Sequence, residues 1–395
     1  MNKKYKIALN ALALKKHSGG IESSYYNTVK YLLKNDTKNL YFLFIGKNAV
    51  NIFSDFKDCH NLKTVVLPID TNNSKLRVIA EYTLLNLYIL LYGINLVHHL
   101  CDYMPRINFC KTVTTIHDLS GFFYHNNFPP TKIMERYYRY TKSETASTLK
   151  LCDRIIAISN FTKSELNKYY PDISFDNKVV VIGQSLDSRK TDCAINETYL
   201  KELSIQKPYI FSASIVKPHK NYDFLIRAFN MLKEKYNIPH YLIIAGGMGN
   251  EMKQRESNSF LEEIEKSPYK EFIKYLGYVD NKYMATLYNF TDIYVTTTIY
   301  EGFGLPILEA MKYKRPIACS NIASLPEVGG EGCIYFDPYN VANASDVIYK
   351  LLNDKTLQQM LVSKQQAQLN LFSWDKLTPK ILNVYNDVLM ENKQI

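Results

Sequence analysis

Short apolar runs alternate with amphipathic stretches along the whole chain. Lys6–Leu12 is nearly all apolar and predicts a buried first strand. A helical spacing follows through Tyr25, Val29, Leu32 and Leu33. Further strands are predicted at Leu40–Ile45, Lys63–Leu67, Leu96–Leu100, Thr112–Ile116, Arg154–Ile158 and Lys178–Ile182, with helical patterns over Ser74–Tyr92 and Thr131–Leu151. The polar stretch Gly183–Asn196 reads as a linker. The alternation then restarts with strands at Tyr209–Ala213, Tyr241–Ala245, Lys274–Val279 and Ile293–Val295 and helices from Tyr222 and over Asn281–Asn289. From Val341 the pattern is helical, and Trp374 opens a last helix. Strands alternating with helices imply parallel sheets with crossover helices, an α/β fold.

Composition sets bounds on this picture. At 395 residues, 46% apolar and 22% charged, the chain is long enough for two cores. The net charge is +10, with an excess of Lys, and the chain has neither a long basic run nor a nucleic-acid motif. A phosphorylated substrate or an anionic membrane surface therefore accounts for it better than nucleic acid. Seven scattered cysteines lack Cys-x-x-Cys spacing, which predicts neither disulfides nor a zinc site and favours a reducing compartment. The lysine-rich start has no long apolar segment, so no signal peptide is expected. The most apolar stretch, Leu84–Val97, is too short to span a bilayer and reads as a buried helix followed by a strand.

The candidate chemistry lies where strands end, since ligands of parallel sheets sit beyond the strand C-termini. After Ile293–Val295 come Tyr300-Glu301-Gly302-Phe303-Gly304-Leu305-Pro306 and then Glu309. Gly302 and Gly304 let bare backbone approach a ligand, and Pro306 suits a helix start. A helix N-terminus suits phosphate, which leaves the carboxylates to accept hydrogen bonds from hydroxyls: Glu309 from a ribose, Glu301 from a sugar. The loop therefore reads as a nucleotide-sugar site, or, on residue types alone, as an ordinary strand-to-helix turn with surface glutamates. Lys217-Pro218-His219-Lys220 is a second strand-end loop, basic enough for a diphosphate. Thr112–Ile116 ends in His117-Asp118, where Asp118 can orient His117 or cap the next turn. No Asp-x-Asp or His-Glu-x-x-His occurs, so a metal–diphosphate clamp of that kind is not expected.

Glu301 to Glu309 with Gly-Phe-Gly-Leu-Pro between them resembles the E-x7-E signature of glycosyltransferase family 4, the retaining enzymes of GT-B fold. The likeness extends through Pro316–Asn321, Ser324–Gly329 and Phe336-Asp337-Pro338. It implies two Rossmann-like domains facing a cleft: 1–190 on the acceptor side, 191–372 for the donor, and 373–395 as a helix crossing back. It also implies site roles. Gly19 and Gly20, after Ser18, face the donor diphosphate, and His117 lies near the donor sugar. Lys220 falls on the phosphate-binding Lys, while His219 stands where Arg is usual, which predicts a weaker, pH-sensitive contact. Gly246, in Gly246-Gly247-Met248-Gly249, sits beside the nucleoside, and Val279 and the residues after it lie along the base.

The implied reaction follows. Lys220 with the N–H groups of Gly304 and Leu305 holds the diphosphate. Glu301 with the N–H groups of Phe303 and Gly304, in the turn that includes Gly302, orients the sugar. An acceptor hydroxyl attacks from the face the diphosphate leaves, and a phosphate oxygen takes the proton. His117, Lys220 and Glu301 are the expected catalytic residues, with no metal and no cofactor beyond the nucleotide-sugar substrate. The signature resembles that of bacterial mannosyl- and rhamnosyltransferases of surface polysaccharides, which favours mannose from GDP-mannose, or another GDP-sugar, over a UDP-sugar, and a lipid-linked or growing surface glycan as acceptor. It thus implies a cytoplasmic protein in peripheral contact with the anionic inner membrane face, without nucleic-acid partners. Two rivals stay open: a nucleotide-sugar isomerase or hydrolase, and a non-catalytic binding or assembly subunit.

Overall fold

The computed structural model describes residues 4–14, 19–128, 131–175, 177–248 and 256–391; Ser18 and Gly249 of the two glycine-rich turns lie outside them. The chain divides into two compact units, Met1–Gln184 with Ser373–Ile395, and Ser185–Phe372.

The first unit holds seven parallel strands: β1 (Lys6–Asn10), β2 (Leu40–Gly46), β3 (Leu62–Leu67), β4 (Leu96–His99), β5 (Lys111–Ile116), β6 (Arg154–Ala157) and β7 (Val179–Val181). Its helices are α1 (Gly20–Asn35), α2 (Ser74–Ala80), α3 (Asn86–Tyr92), α4 (Ser120–Asn127), α5 (Lys132–Leu151) and α6 (Asn160–Tyr169). A π-helical turn, Glu81–Leu85, joins α2 to α3. The strand order is β3-β2-β1-β4-β5-β6-β7. A parallel sheet covered on both faces needs apolar residues on both, which is why β1 reads as a continuous run. Ile7 and Leu9 join Val29 and Leu32 in one core; Ala8 joins Phe42, Phe44 and Ile89 in the other.

The second unit holds β8 (Tyr209–Ala213), β9 (Tyr241–Ala245), β10 (Ile273–Tyr275), β11 (Ile293–Thr296), β12 (Ile317–Ser320) and β13 (Ile334–Phe336), in the order β10-β9-β8-β11-β12-β13. Its helices are α7 (Ser188–Thr191), α8 (Thr198–Glu202), α9 (Tyr222–Tyr236), α10 (Glu256–Lys266), α11 (Asn281–Phe290), α12 (Leu305–Lys312), α13 (Leu325–Gly329), α14 (Val341–Asn353) and α15 (Lys355–Leu371). The last helix, α16 (Trp374–Met390), belongs to the first unit, where Trp374, Leu377, Ile381 and Tyr385 enter the core formed with α1.

Three sequence expectations change. The two units divide inside the expected linker, between Gln184 and Ser185, but the rest of the stretch is structured within the second unit. Asp187 caps α7, Tyr313 donates to the Thr191 carbonyl at 2.7 Å, and Lys312 pairs with Asp192. The strand expected over Lys274–Val279 is the shorter β10, which leaves Val279 half-buried in the loop before α11. The apolar segment before β4 is not a buried helix: Leu87, Leu90 and Leu91 of α3 are exposed. Among the described residues no helix is long and apolar enough to cross a membrane.

Candidate active site

Strands on the two sides of a reversal in strand order send their following helices to opposite faces, which opens a crevice at their C-terminal ends. In the second unit that reversal lies between β8 and β11, and both candidate loops grow from it. After β8 the chain makes one tight turn, Pro218–Lys220, and passes through a left-handed Asn221 into α9. After β11 it runs through Thr297 to Gly304 and into α12.

Hydrogen bonds fasten the two loops together. Ile299 N–H donates to the His219 carbonyl at 2.8 Å. The Thr297 hydroxyl lies within reach of the carbonyls of both Lys220 (3.0 Å) and Asn221 (3.1 Å). At their head Lys220 Nζ donates to Glu301 Oε2. The two residues carry separate expected tasks, phosphate and sugar; the fold brings them into contact. Both are largely buried, so each charge offsets part of the other's desolvation cost.

Gly304 caps α12 with φ of 106°, in the region that favours glycine, and an added Cβ would lie 2.9 Å from Leu325 Cδ2. Ile307 N–H donates back to the Gly304 carbonyl at 3.0 Å and Pro306 has no N–H, so Leu305 N–H is the donor that α12 presents at its start. Gly302 and Phe303 are buried, Leu305 is half-buried, and the Phe303 ring meets Phe372 edge-on at 5.1 Å. Pro306 is the second helical residue, still in the turn that tolerates a missing N–H. Ser324, from the loop after β12, reaches the Glu301 and Phe303 carbonyls at 2.8 Å each. It ties down the segment that carries Glu301. Its stretch was noted in the sequence only as part of the family likeness, without a role.

Glu309 lies one turn into α12. The buried Tyr288 hydroxyl donates to its Oε2 at 2.8 Å, and the side chain stays half-exposed. Burial, and then Glu309 itself, push the Tyr288 phenol well above its usual range, so it stays a donor. No sequence signal linked these residues, which stand on different helices.

His219 is buried. Desolvation first, then the Lys220 and Lys217 ammoniums, hold its imidazole well below its usual 6.5. It is neutral at physiological pH, and the pH-sensitive contact expected from its substitution for Arg is replaced by a neutral, packed ring. Gly246 ends β9 with φ of 150°, and an added Cβ would fall 1.7 Å from the Ser214 carbonyl oxygen. Its N–H donates to the Gly277 carbonyl at 2.7 Å, and its carbonyl accepts from Tyr275 Oη at 2.6 Å. Gly246 thus sets how closely the β8 and β9 loops pack.

In the first unit the reversal lies between β1 and β4. Gly19 caps α1, Gly20 begins it, and Tyr25 of the same helix places its ring 5.9 Å from that of His117 at the end of β5. His117 Nε2 donates to the Leu100 carbonyl at 3.1 Å, which fixes the proton there and turns Nδ1 into the other edge. Its backbone N–H donates to Asp102 Oδ1 at 2.6 Å, a partner the sequence did not reveal. Burial raises the Asp102 carboxyl, against the opposing pull of His117. Asp118 caps the next turn, accepting from Ser120 N–H at 2.8 Å.

Comparison with known proteins accords with this arrangement. Residues 18–189 match the model "Glycosyltransferase Family 4", and residues 195–368 match "Glycosyl transferases group 1". The O-antigen chain mannosyltransferase B of Escherichia coli is 30% identical over 279 residues, covering 70% of each chain. A serotype-specific mannosyltransferase of Escherichia coli is 25% identical over 72% of this chain, which spans only 34% of that longer protein. A glycosyltransferase from Rickettsia africae superposes with a TM-score of 0.72 at 19% identity, covering 99% of this chain and all of the other. With these matches the chain belongs to glycosyltransferase family 4 and is a glycosyltransferase of GT-B fold.

Proposed function

We propose that this glycosyltransferase moves mannose from GDP-mannose, with retention of configuration and without a metal ion, to a hydroxyl of a lipid-linked or growing surface glycan. The observation that carries the reading is the head of α12, where Lys220 meets Glu301 and a Tyr288-anchored Glu309 stands one turn on. A cation and a helix N-terminus offset the charge of a leaving diphosphate, and fixed carboxylates take hydroxyls. Glu309 binds the ribose; Lys220 and the N–H groups of Gly304 and Leu305 bind the diphosphate. Glu301 holds the sugar with the N–H groups of Phe303 and Gly304, in the turn that Gly302 opens. Gly246 and Val279 line the nucleoside side, and the neutral His219 ring packs beside Lys220 in the diphosphate loop. His117 acts at the donor sugar and Gly19 and Gly20 at the diphosphate. The acceptor hydroxyl forms the new glycosidic bond at the anomeric carbon as the C–O bond to the diphosphate breaks, and a phosphate oxygen of the leaving group takes the hydroxyl proton. The choice of mannose rests on the name of the relative at 30% identity.

A thermal-shift panel of GDP, UDP, ADP and their sugars in chelator tests the donor. A ligand at a hundred times its dissociation constant adds about 2.7 kcal/mol of stability. The expected result is stabilisation by GDP and GDP-mannose, followed by an α-linked product when a glycan acceptor is added. Stabilisation by uridine nucleotides alone, dependence on a divalent ion, or an inverted product overturns the corresponding part.

A further inference from the structure

Between α12 and β12 the chain turns through Tyr313, Lys314 and Arg315. Lys314 N–H donates to the Met311 carbonyl at 2.9 Å and Arg315 N–H to the Ala310 carbonyl at 3.1 Å, the paired bonds that close a helix on a left-handed residue. That residue is Lys314, with φ of 53°, where glycine is the usual choice. Any side chain strains the backbone there, so lysine is a costly choice for a turn alone.

Lys314 stands on the wall of an open cleft of about 480 Å³. One side is the segment after α7, with Asp192 and Ile195; the other is the Lys312–Arg315 turn, with Asn289 of α11. The cleft lies within the second unit at the N-terminal end of β12, away from the strand C-termini that carry Lys220 and Glu301. Asp192, the one acid on the wall, is paired with Lys312, so two cations are left over. Lys314 is exposed and has neither ion pair nor side-chain hydrogen bond among the described residues. Arg315 is half-buried; its Nε donates to the Tyr313 carbonyl at 2.8 Å and its Nη1 to the Thr291 carbonyl at 3.2 Å, which leaves Nη2 unmatched. Burial lowers its guanidinium below the ordinary range, against the pull of Asp292 and Tyr209. The carbonyls at the end of α12 would repel an anion, but those of Ala310, Met311 and Tyr313 are already taken up by the turn and by Arg315.

Two neighbouring cations with unmatched N–H groups suit a phosphate. The ion alone would fill only a small part of the cleft, whose size falls among small-molecule sites of about 300–1,000 Å³. The Asn289 amide, half-buried and without a partner among the described residues, can take hydroxyls, and exposed Ile195 offers an apolar wall to a ring. We propose that this cleft is a second ligand site, separate from the head of α12, that takes a small sugar phosphate.

The test is calorimetric titration of the full chain with glucose 6-phosphate, inorganic phosphate and glucose, in phosphate-free buffer. Alkylation of Cys193, which lines the same cleft, by N-ethylmaleimide locates the binding. Glucose 6-phosphate is expected to bind with Kd below about 1 mM, at least about tenfold tighter than inorganic phosphate, and to slow the alkylation of Cys193, while glucose does not bind. Lys314→Gly relieves the backbone and removes the charge. It is expected to melt no lower than wild type and to keep its transferase activity, yet to lose about tenfold in sugar-phosphate affinity. Lys220→Met, which disables the head of α12, is expected to bind the sugar phosphate unchanged. The proposal is overturned if glucose 6-phosphate leaves the chain unbound, if Lys314→Gly binds it like wild type, or if Cys193 reacts at the same rate in its presence. Loss of binding in Lys220→Met would assign the ligand to the donor head and overturn it too, and equal affinity for inorganic phosphate would leave only an ion site.

Discussion

Lys220 and Glu301, eighty-one residues apart, meet through Nζ and Oε2 at the head of α12. Neither residue acts alone in that arrangement. On the proposed reading, a diphosphate arriving at Lys220 would draw the ammonium from the carboxylate and release Glu301 to the sugar's hydroxyls. Lys220→Met is expected to lower kcat/KM about a hundredfold or more, since it removes a cation from the leaving group and leaves Glu301 without its partner. Glu301→Gln alone is expected to lower kcat more than it raises the donor KM. The double variant should lose clearly less than the sum of the two, because the residues share one interaction. Strict additivity in steady-state kinetics would show that the pair is incidental.

Glu309 depends on Tyr288 for its orientation. Tyr288→Phe removes a buried hydrogen bond to a carboxylate, and a loss of about 1–3 kcal/mol in stability is expected. The donor KM should rise several-fold with kcat little changed, because the carboxylate remains but is no longer held. Glu309→Ala should abolish donor binding altogether. Calorimetric titration with GDP-mannose separates the two, and unchanged affinity in Glu309→Ala would sink the ribose assignment.

How far the sequence foretold this site depends on which residue is considered. The loops after β8 and β11 were legible, because buried strands show as apolar runs and their C-terminal ends mark where ligands bind. Gly304, Pro306 and the two glutamates had a chemistry that their order alone suggests. His219 was legible as part of a basic strand-end loop but not as a buried ring, because burial depends on neighbours from other elements, among them the segment whose Ile299 N–H holds the His219 carbonyl. Tyr288 and Asp102 left no trace, since hydrogen bonds between separate elements have no sequence period. The exposed side of α3 was hidden because a run of Leu and Ile tells how apolar a helix is, not which side the rest of the fold covers.

Gly246 offers a test of loop packing apart from chemistry. A methyl group there would overlap the Ser214 carbonyl oxygen at 1.7 Å, and the φ of 150° suits no other residue. Because the obstacle is backbone, relief requires the β8 and β9 loops to part. Gly246→Ala is expected to cost roughly 2–4 kcal/mol and to weaken nucleotide binding tenfold or more. Gly247→Ala is the control: its Cβ would make only an ordinary contact, 3.6 Å from Tyr278 Cβ. Equal melting temperatures for the two variants would refute the argument.

Acid should loosen the first unit. His98 and His99 of β4 are fully buried, and burial lowers each imidazole to about 3, with His99 and His117 adding to the shift at His98. His98 holds the hydroxyls of Tyr385 at 2.6 Å and Thr115 at 2.8 Å, so it bonds the C-terminal helix to the sheet. Below the usual 6.5 the unfolded chain takes up a proton at each ring that the folded chain refuses until about pH 3. Stability is therefore whole above pH 6.5 and falls as pH falls across that window, by up to about 1.4 kcal/mol per unit for each histidine. The raised carboxyls of Glu81 and Asp102 act in the opposite sense, since the folded chain protonates them first. Comparing variants isolates the histidines. Trp374, the one tryptophan, is buried in the first unit against Tyr31, so its fluorescence reports that unit. Urea titrations between pH 7 and 5 should show the midpoint falling with pH, and His99→Asn should reduce that slope by about half of the histidine contribution. An unchanged slope in His99→Asn would mean that the ring is not held neutral by its burial.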